Sequence, residues 1–179
     1  MATRLDTINP AEASGKAAEV FGQIRKAIGK VPNAYATIGT HSPEGLAAML
    51  GVDAVIASST LDKADVEAIR LVVSETVGCD YCVVAHTMIG KMVGLSQDAM
   101  KQIRSGRATG DAKRDALVTF VQTLVTTRGT IPAEALSAVL SAGFTQQQVI
   151  ETMLVVASIT FTNVVNRVND TTLDFPAAD

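Results

Sequence analysis

Two helical segments meet at a glycine in the stretch Leu61-Asp-Lys-Ala-Asp-Val-Glu-Ala-Ile-Arg-Leu-Val-Val-Ser-Glu-Thr-Val-Gly-Cys-Asp-Tyr-Cys-Val-Val-Ala-His86. Asp62 is a suitable N-cap, and apolar residues follow it at helical spacing until Gly78 interrupts the helix. A second helix is predicted to begin close to Cys79 and to end before Gly94. Residues 61–94 therefore predict a helical hairpin.

The rest of the chain has the same organisation, because Gly and Pro separate apolar segments of helical period and no hairpin dipeptides occur. We expect an all-α fold of one domain, residues 1–179. Its parts are N-terminal helices in 1–60, the hairpin in 61–94, C-terminal helices in 95–169 and an extended tail in 170–179 that contacts a partner. The predicted helices span residues 10–28, a segment starting at 32, and 43–58, 62–77, 79–93, 96–104, 111–127, 133–142 and 146–168.

A weak internal similarity links residues 61–74 to residues 144–157, which share the N-cap pattern and several apolar positions. Two interpretations stay open. The chain contains a duplicated helical hairpin that kept its chemistry in one half, or two Val-rich amphipathic helices are alike by chance.

Composition limits the classes of function. The chain has 179 residues, 47% hydrophobic and 18% charged, with a formal charge of −3. We therefore expect neither disorder nor binding to nucleic acid or an anionic membrane, because the latter two need clustered positive charge. The N-terminus lacks the apolar core of a signal peptide, and the most apolar run, 153–161, is shorter than a membrane span. These features predict a soluble, cytoplasmic protein.

The mean hydropathy of +0.27 is high for a soluble chain with only 4% aromatic residues. A thin helical protomer with long Val-, Leu- and Ala-rich helices cannot cover every apolar face by itself. We therefore expect a homo-oligomer.

The two cysteines, Cys79 and Cys82, stand three residues apart at a helix start, and His86 follows one turn later. This spacing places both sulfurs and the imidazole on one helix face. Unpaired N–H groups at a helix N-terminus stabilise a thiolate, and the short spacing allows the pair to form a disulfide. The imidazole is then placed to carry a proton. By helix position, Cys79 is expected to be the more acidic thiol.

Other interpretations of the cysteine pair have less support. A zinc site needs further ligands, and the only other histidine, His41, is far away in sequence. Covalent haem attachment needs a histidine directly after the second cysteine, where Val83 stands. Two buried, inert cysteines remain an alternative. No metal and no cofactor is therefore expected.

Two carboxylates are candidates for the proton acceptor. Glu75 shares the face of the cysteines if one helix continues through Gly78, whereas Glu67 reaches them only if the chain bends there. The spacing alone leaves this choice open.

The run Glu67-x(11)-Cys79-x-Tyr81-Cys82-x(3)-His86 resembles the signature of the AhpD-like, carboxymuconolactone decarboxylase superfamily, and specifically its peroxidase-related alkylhydroperoxidase branch. Further segments resemble that branch: Gly29-Lys-Val-Pro-Asn33, His41-Ser-Pro43, Val73-Ser-Glu75 and Asn166…Leu173-Asp-Phe-Pro176. The resemblance implies an AhpD-like all-helical fold, an antioxidant enzyme that reduces organic hydroperoxides, and a homotrimer or hexamer.

The resemblance also implies a role for each site residue. Cys82 is then the peroxidatic thiol, Cys79 the resolving thiol, and Glu67 and His86 a proton relay. An external dithiol, either a lipoyl or a thioredoxin-like protein, would reduce the disulfide. The chain departs from the best-characterised members at Tyr81, where they have histidine, and a phenol is a poor proton carrier near neutral pH.

Three alternative functions remain. In the first, the dithiol reduces or isomerises disulfides. In the second, the protein is a non-catalytic oligomeric module whose thiols sense redox state. Decarboxylation of a lactone acid, also known in the superfamily, is disfavoured because those enzymes lack the cysteine pair.

Overall fold

A computed structural model describes residues 3–176, and in this part of the chain nine α-helices and no strands form. The prediction of an all-α fold is confirmed. The helices are α1 (Gly15–Ile28), α2 (Asn33–His41), α3 (Pro43–Ala57), α4 (Lys63–Thr76), α5 (Asp80–Met92), α6 (Gln97–Arg104), α7 (Ala112–Thr126), α8 (Ala133–Ser141) and α9 (Gln146–Asn169).

Most of the predicted helix ends agree with the structure, but the start of the first helix was predicted wrongly. The Asn9 side chain accepts a hydrogen bond from the Ala11 backbone N–H at 3.1 Å, and its carbonyl accepts one from Glu12 N at 2.9 Å, so these residues form a turn. Gly15 has a left-handed φ of 57°, which prevents the helix from extending toward Pro10. Helix α1 therefore begins five residues later than predicted.

Helix α4 is the centre of the fold. Ten of its residues, from Ala64 to Ser74, are buried, and it packs against α5, α6, α7 and α9. A second, smaller core lies between α1, α2 and α3 around Phe21 and Leu46. Gly39 allows these helices to approach closely, because a Cβ there would lie 2.4 Å from the Phe21 ring. The buried position of α4 places its polar side chains in a shielded environment.

Helix α9, the longest at 24 residues, begins with a capping box formed by Thr145 and Gln148, as predicted. Among the helices of residues 3–176, α9 alone is long and apolar enough to cross a membrane, but core helices often meet the same two criteria. It packs against α2, α3, α4 and α5. Large apolar side chains on its outer face are exposed, namely Ile150, Phe161, Val164 and Val168. The weak repeat lies in α4 and α9, and the duplication stays a prediction.

The C-terminal tail folds back onto its own chain. The Asp174 carboxylate accepts hydrogen bonds from Lys30 Nζ at 3.0 Å and from the Asn33 backbone N–H at 3.3 Å. The Phe175 ring packs edge-on against Tyr81, with 5.5 Å between ring centroids. As far as residue 176, the tail thus makes intramolecular contacts instead of projecting as a free arm. Residues 177–179 lie outside the described part.

Candidate active site

The two cysteines lie at the turn of the α4–α5 hairpin. Gly78 adopts a left-handed φ of 70°, which reverses the chain after α4, and the Cys79 N–H then donates to the Ser74 carbonyl at 2.9 Å. Cys79 is the N-cap residue of α5, and Cys82 lies in the first turn. Both thiols are free and buried. The predicted bend at Gly78 is therefore present.

The two sulfurs are hydrogen-bonded to each other and carry different affinities for a proton. The Cys82 thiol donates to Cys79 and, with the Cys82 backbone N–H and the Asn163 amide, lowers the pKa of Cys79 to about 7 against the opposing effect of burial. Donation to Cys79 and burial raise the pKa of Cys82 well above its usual range. Cys79 is therefore the thiol that ionises first, while Cys82 stays protonated, as expected from the helix position.

Two asparagines of α9 face the sulfurs. Cys82 Sγ accepts a hydrogen bond from Asn166 Nδ2 at 3.3 Å. Asn163 Nδ2 donates to Ser74 Oγ at 3.1 Å, and the Asn163 amide also stabilises the charged form of both thiols. Asn163 is fully buried and Asn166 is 4% exposed. The Oδ1 atoms of both are buried without a hydrogen-bond partner in the described part of the chain.

The predicted relay acid and histidine are in direct contact. His86 Nδ1 lies 2.8 Å from Glu67 Oε2, and Arg70 donates to Glu67 Oε1 at 2.8 Å. Arg70 also pairs with Asp53 at 3.1 Å. Burial raises the pKa of Glu67, but His86 and Arg70 outweigh it, so the net pKa is lowered and the carboxylate is ionised near neutral pH. Because α5 carries both His86 and Cys82, the pair lies on the same hairpin as the thiols.

The structure also decides which carboxylate meets the histidine. Because the chain reverses at Gly78, Glu67 comes to lie beside α5, whereas Glu75 accepts a hydrogen bond from Arg104 of α6 at 2.7 Å. Of the two candidates, Glu67 is thus brought into contact with His86 and Glu75 is not. The roles of the four predicted residues, Cys79, Cys82, His86 and Glu67, stay proposals.

Two pockets reach this region from different sides. The first has a volume of about 310 Å³ and is lined by Cys79, Tyr81 and Asn166 together with the start of the tail, residues 170, 171 and 173. The second has a volume of about 250 Å³ and is lined by Glu67 and Arg70. The thiol pair therefore has one opening at Cys79, and the buried carboxylate has another.

Tyr81, the residue between the cysteines, connects the site to the tail. Its hydroxyl donates to Asp174 Oδ1 at 2.6 Å and accepts from the Ala34 backbone N–H at 3.3 Å. Burial and the bond to Asp174 raise the pKa of Tyr81 well above its usual range. The phenol therefore stays protonated at neutral pH and holds the tail in place instead of carrying protons.

Sequence reasoning missed the contributions of α9, of Arg70 and of the tail. Asn163 and Asn166 stand three residues apart on a long apolar helix, and polar residues at core positions of such a helix are the signal that identifies them. Arg70 follows Glu67 by three residues, which is the spacing of a helical ion pair. No comparable signal points to the bond between Tyr81 and Asp174, residues 93 positions apart.

Comparisons with known proteins agree with this architecture. The sequence model of the carboxymuconolactone decarboxylase family matches residues 43–120, which include the cysteine hairpin. No sequence among the curated proteins matches the chain.

Solved structures share the fold over nearly the whole chain. An uncharacterized peroxidase-related protein with an alkylhydroperoxidase AhpD core, from Ralstonia eutropha JMP134, superposes with a TM-score of 0.85 at 18% identity, over 97% of this chain and 93% of that one. A peroxidase-related protein from Silicibacter sp. TM1040 gives 0.80 at 20% identity, over 96% and 93%.

A third structure is the debrominase Bmp8, a Cys-to-Ala variant in complex with 2,3,4-tribromopyrrole, with a TM-score of 0.81 at 19% identity over 99% and 94% of the two chains. The matched family segment contains the site hairpin, and the fold around it is that of AhpD-like proteins. Residues 43–120 thus match the carboxymuconolactone decarboxylase family, and the chain as a whole has the fold of the AhpD-like structures.

Proposed function

We propose that the protein is a thiol-dependent peroxidase of the alkylhydroperoxidase type, which reduces small organic hydroperoxides through its Cys79–Cys82 dithiol in antioxidant defence. The observation that carries this proposal is the hydrogen-bonded pair of free thiols, one of them acidic and lining a pocket. A thiolate at ordinary pH is the form of cysteine that attacks a peroxide.

The cycle balances without a metal or an organic cofactor. A thiolate attacks the terminal oxygen of ROOH, the O–O bond breaks, and the alkoxide leaves as ROH with a proton supplied through His86 and Glu67. The sulfur is now a sulfenic acid. The second thiol attacks it, the Cys79–Cys82 disulfide forms, and the hydroxyl leaves as water with the proton of that thiol. An external dithiol, of the lipoyl or thioredoxin type, then reduces the disulfide and is itself oxidised.

Two observations disagree about which cysteine attacks the peroxide first. The family resemblance gives the first attack to Cys82. The lowered pKa of Cys79 and its position in the pocket wall favour Cys79. Either order yields the same disulfide. We favour Cys79, because the peroxide must reach a thiolate.

Single-cysteine variants test both the activity and the order. The wild-type protein should consume cumene hydroperoxide in a stopped-flow assay, and the double variant Cys79→Ser/Cys82→Ser should not. If Cys79 reacts first, Cys82→Ser accumulates a sulfenic acid that a dimedone-type probe traps, while Cys79→Ser reacts slowly. The opposite result assigns the attack to Cys82. Consumption that persists in the double variant contradicts the proposal.

A second candidate is reductive dehalogenation, and the fold shared with Bmp8 favours it. The same dithiol supplies two electrons for this reaction: a carbon–halogen bond is replaced by carbon–hydrogen, halide leaves, and the disulfide forms. Release of bromide from 2,3,4-tribromopyrrole, at a rate above that with cumene hydroperoxide, would favour this function over peroxide reduction.

We propose that the protein is a cytoplasmic homo-oligomer, a trimer or hexamer as the family resemblance implies. The exposed apolar side chains of α9 support contacts between subunits. Light scattering at micromolar concentration should give a mass that is a multiple of 18.7 kDa. A mass of one chain contradicts this part of the proposal.

A further inference from the structure

Two buried side-chain amides beside the thiols donate hydrogen bonds but accept none. Asn163 and Asn166 each donate through Nδ2, to Ser74 Oγ and to Cys82 Sγ, while both Oδ1 atoms are unpaired and inaccessible to solvent. A buried polar atom without a partner is costly and uncommon in folded proteins. Of the five such atoms in the described residues, these two belong to amides that face the reactive sulfurs, and that position indicates a partner that exists in another state of the site.

We propose that the side-chain amides of Asn163 and Asn166 form a cradle for the reacting sulfur, in which an N–H group stabilises the thiolate and one of the unpaired Oδ1 atoms accepts the O–H of the sulfenic acid. This inference rests on the proposed function, because it names the groups that hold its intermediate. Asn166 touches Cys82 Sγ directly, and is therefore assigned a catalytic contact.

The geometry fits the chemistry of each state. Before oxidation a sulfur accepts hydrogen bonds, which the amide N–H groups provide. Oxidation adds an oxygen that carries a proton, so the site must then supply an acceptor. The Asn166 Oδ1 belongs to the same planar amide as the Nδ2 atom 3.3 Å from Cys82 Sγ, so a rotation of that amide turns the acceptor toward the sulfur. Asn163 stabilises the charged form of both thiols, so the cradle serves either order of attack.

The cradle would also protect the sulfenic acid from further oxidation. An exposed sulfenic acid reacts further with peroxide to irreversible sulfinic acid. A sulfenic acid held by buried amides keeps its hydroxyl bound until the second thiol displaces it. Condensation then releases water, and the accepting Oδ1 atom returns to the unpaired state.

Helix α9 offers a matched control. Asn169 continues the same spacing and is fully buried, but its amide bonds Thr37 and Thr171 and its Oδ1 accepts from the Leu5 N–H. Asn163→Ala and Asn166→Ala should therefore change the thiol chemistry, whereas Asn169→Ala should change stability alone.

The first measurement titrates the thiolate by its ultraviolet absorbance, with no peroxide present. We expect Asn163→Ala to lower the Cys79 thiolate fraction at neutral pH by roughly seven- to eighty-fold, the effect of one lost hydrogen bond to a charged group. Asn166→Ala should change it less, because Asn166 contacts the protonated Cys82. Asn169→Ala should leave it unchanged. Equal titration curves in all four proteins would overturn the assignment.

The second measurement follows the lifetime of the sulfenic acid, formed with hydrogen peroxide in the single-cysteine variant that reacts. The lifetime should fall about five- to ten-fold in the alanine variants, with faster appearance of sulfinic acid by mass spectrometry. Asn166→Asp covers the case in which alanine disrupts folding. It keeps the size and an acceptor oxygen but loses the donor, so it should retain the lifetime that alanine shortens.

The two measurements separate this inference from the proposed function. Suppose that the wild type consumes no hydroperoxide but the titrations differ as expected. The peroxidase assignment then fails, and the contact of the asparagines with the thiols stands. If the wild type is an active peroxidase and the lifetimes are equal in all variants, the cradle is wrong.

Discussion

Removing one oxygen atom from Tyr81 should loosen the tail over the thiol pocket. In Tyr81→Phe the ring keeps its edge contact with Phe175, but the hydroxyl no longer donates to Asp174 at 2.6 Å or accepts from the Ala34 N–H. That N–H is at the start of α2 and has no helical partner, so it would be left buried and unpaired. The substitution thus tests the tail contact while conserving shape.

The magnitude follows from these two bonds. A hydrogen bond to a charged group contributes about 1.5–3 kcal/mol, and an orphaned amide adds about 1 kcal/mol of cost. Asp174 stays paired with Lys30, but that pair is largely exposed on the lysine side, with 46% of the Lys30 side chain accessible, and such pairs contribute little. Only the bond to Asp174 joins Tyr81 to the tail, so its loss of about 1.5–3 kcal/mol corresponds to a roughly 10- to 150-fold rise in the population of the open tail, while the Ala34 amide lowers the overall stability.

The assay measures how fast a bulky disulfide reagent modifies the thiols at neutral pH. The pocket at Cys79 has residues 170, 171 and 173 of the tail in its wall, so tail opening should expose the sulfur. We expect at least a ten-fold faster reaction in Tyr81→Phe. The change should be smaller in Lys30→Gln, which removes the exposed ion pair with Asp174, the bond to the Asp174 carbonyl and the contact of the ammonium with the Phe175 ring. Asp174→Asn combined with Tyr81→Phe should add little to either single variant. A Tyr81→Phe rate within two-fold of wild type would refute the idea that the tail restricts access.

Three further predictions concern packing, titration and the relay. Gly39→Ala should destabilise the fold by about 1–3 kcal/mol, because the new Cβ would lie 2.4 Å from the Phe21 ring. Gly51→Ala, which has open space around it, should stabilise the fold by up to about 1 kcal/mol. Thermal unfolding measures both shifts, and equal shifts would contradict the close packing at Gly39. The alkylation rate should rise with pH through a midpoint near the Cys79 pKa of about 7, since the thiolate reacts; a midpoint near the free-cysteine value would contradict the stabilised thiolate. Glu67→Gln should slow peroxide turnover about ten- to a hundred-fold, while Glu75→Gln, which contacts α6 instead, should leave it within two-fold; equal rates would remove Glu67 from the mechanism.

Local sequence signals predicted most of the helices because their ends depend on nearby residues. Asp62 and Thr145 each accept a hydrogen bond from an N–H of their own first turn, as their types and positions indicate. The error at α1 has the same local origin, since the turn stabilised by Asn9 competes with a helix start at Pro10.

The candidate site was predictable only in part. The spacing of Cys79, Cys82 and His86 follows from one helix, but the meeting of His86 with Glu67 depends on the reversal at Gly78, which spacing alone does not determine. The asparagines of α9 approach the sulfurs by tertiary packing between elements about 84 residues apart, as in the Asn166 contact. Such contacts leave no trace in local periodicity.

The N-cap position of Cys79 has a consequence for electron flow. Hydrogen bonds that stabilise its thiolate belong to the reduced protein and are lost when the sulfur enters a disulfide. Stabilising the reduced form raises the reduction potential of a dithiol couple, as a lowered thiol pKa does in strongly oxidising disulfide enzymes. The Cys79–Cys82 couple should therefore be more oxidising than an ordinary structural disulfide. A mild dithiol can then return the oxidised protein to the reduced state with a favourable driving force.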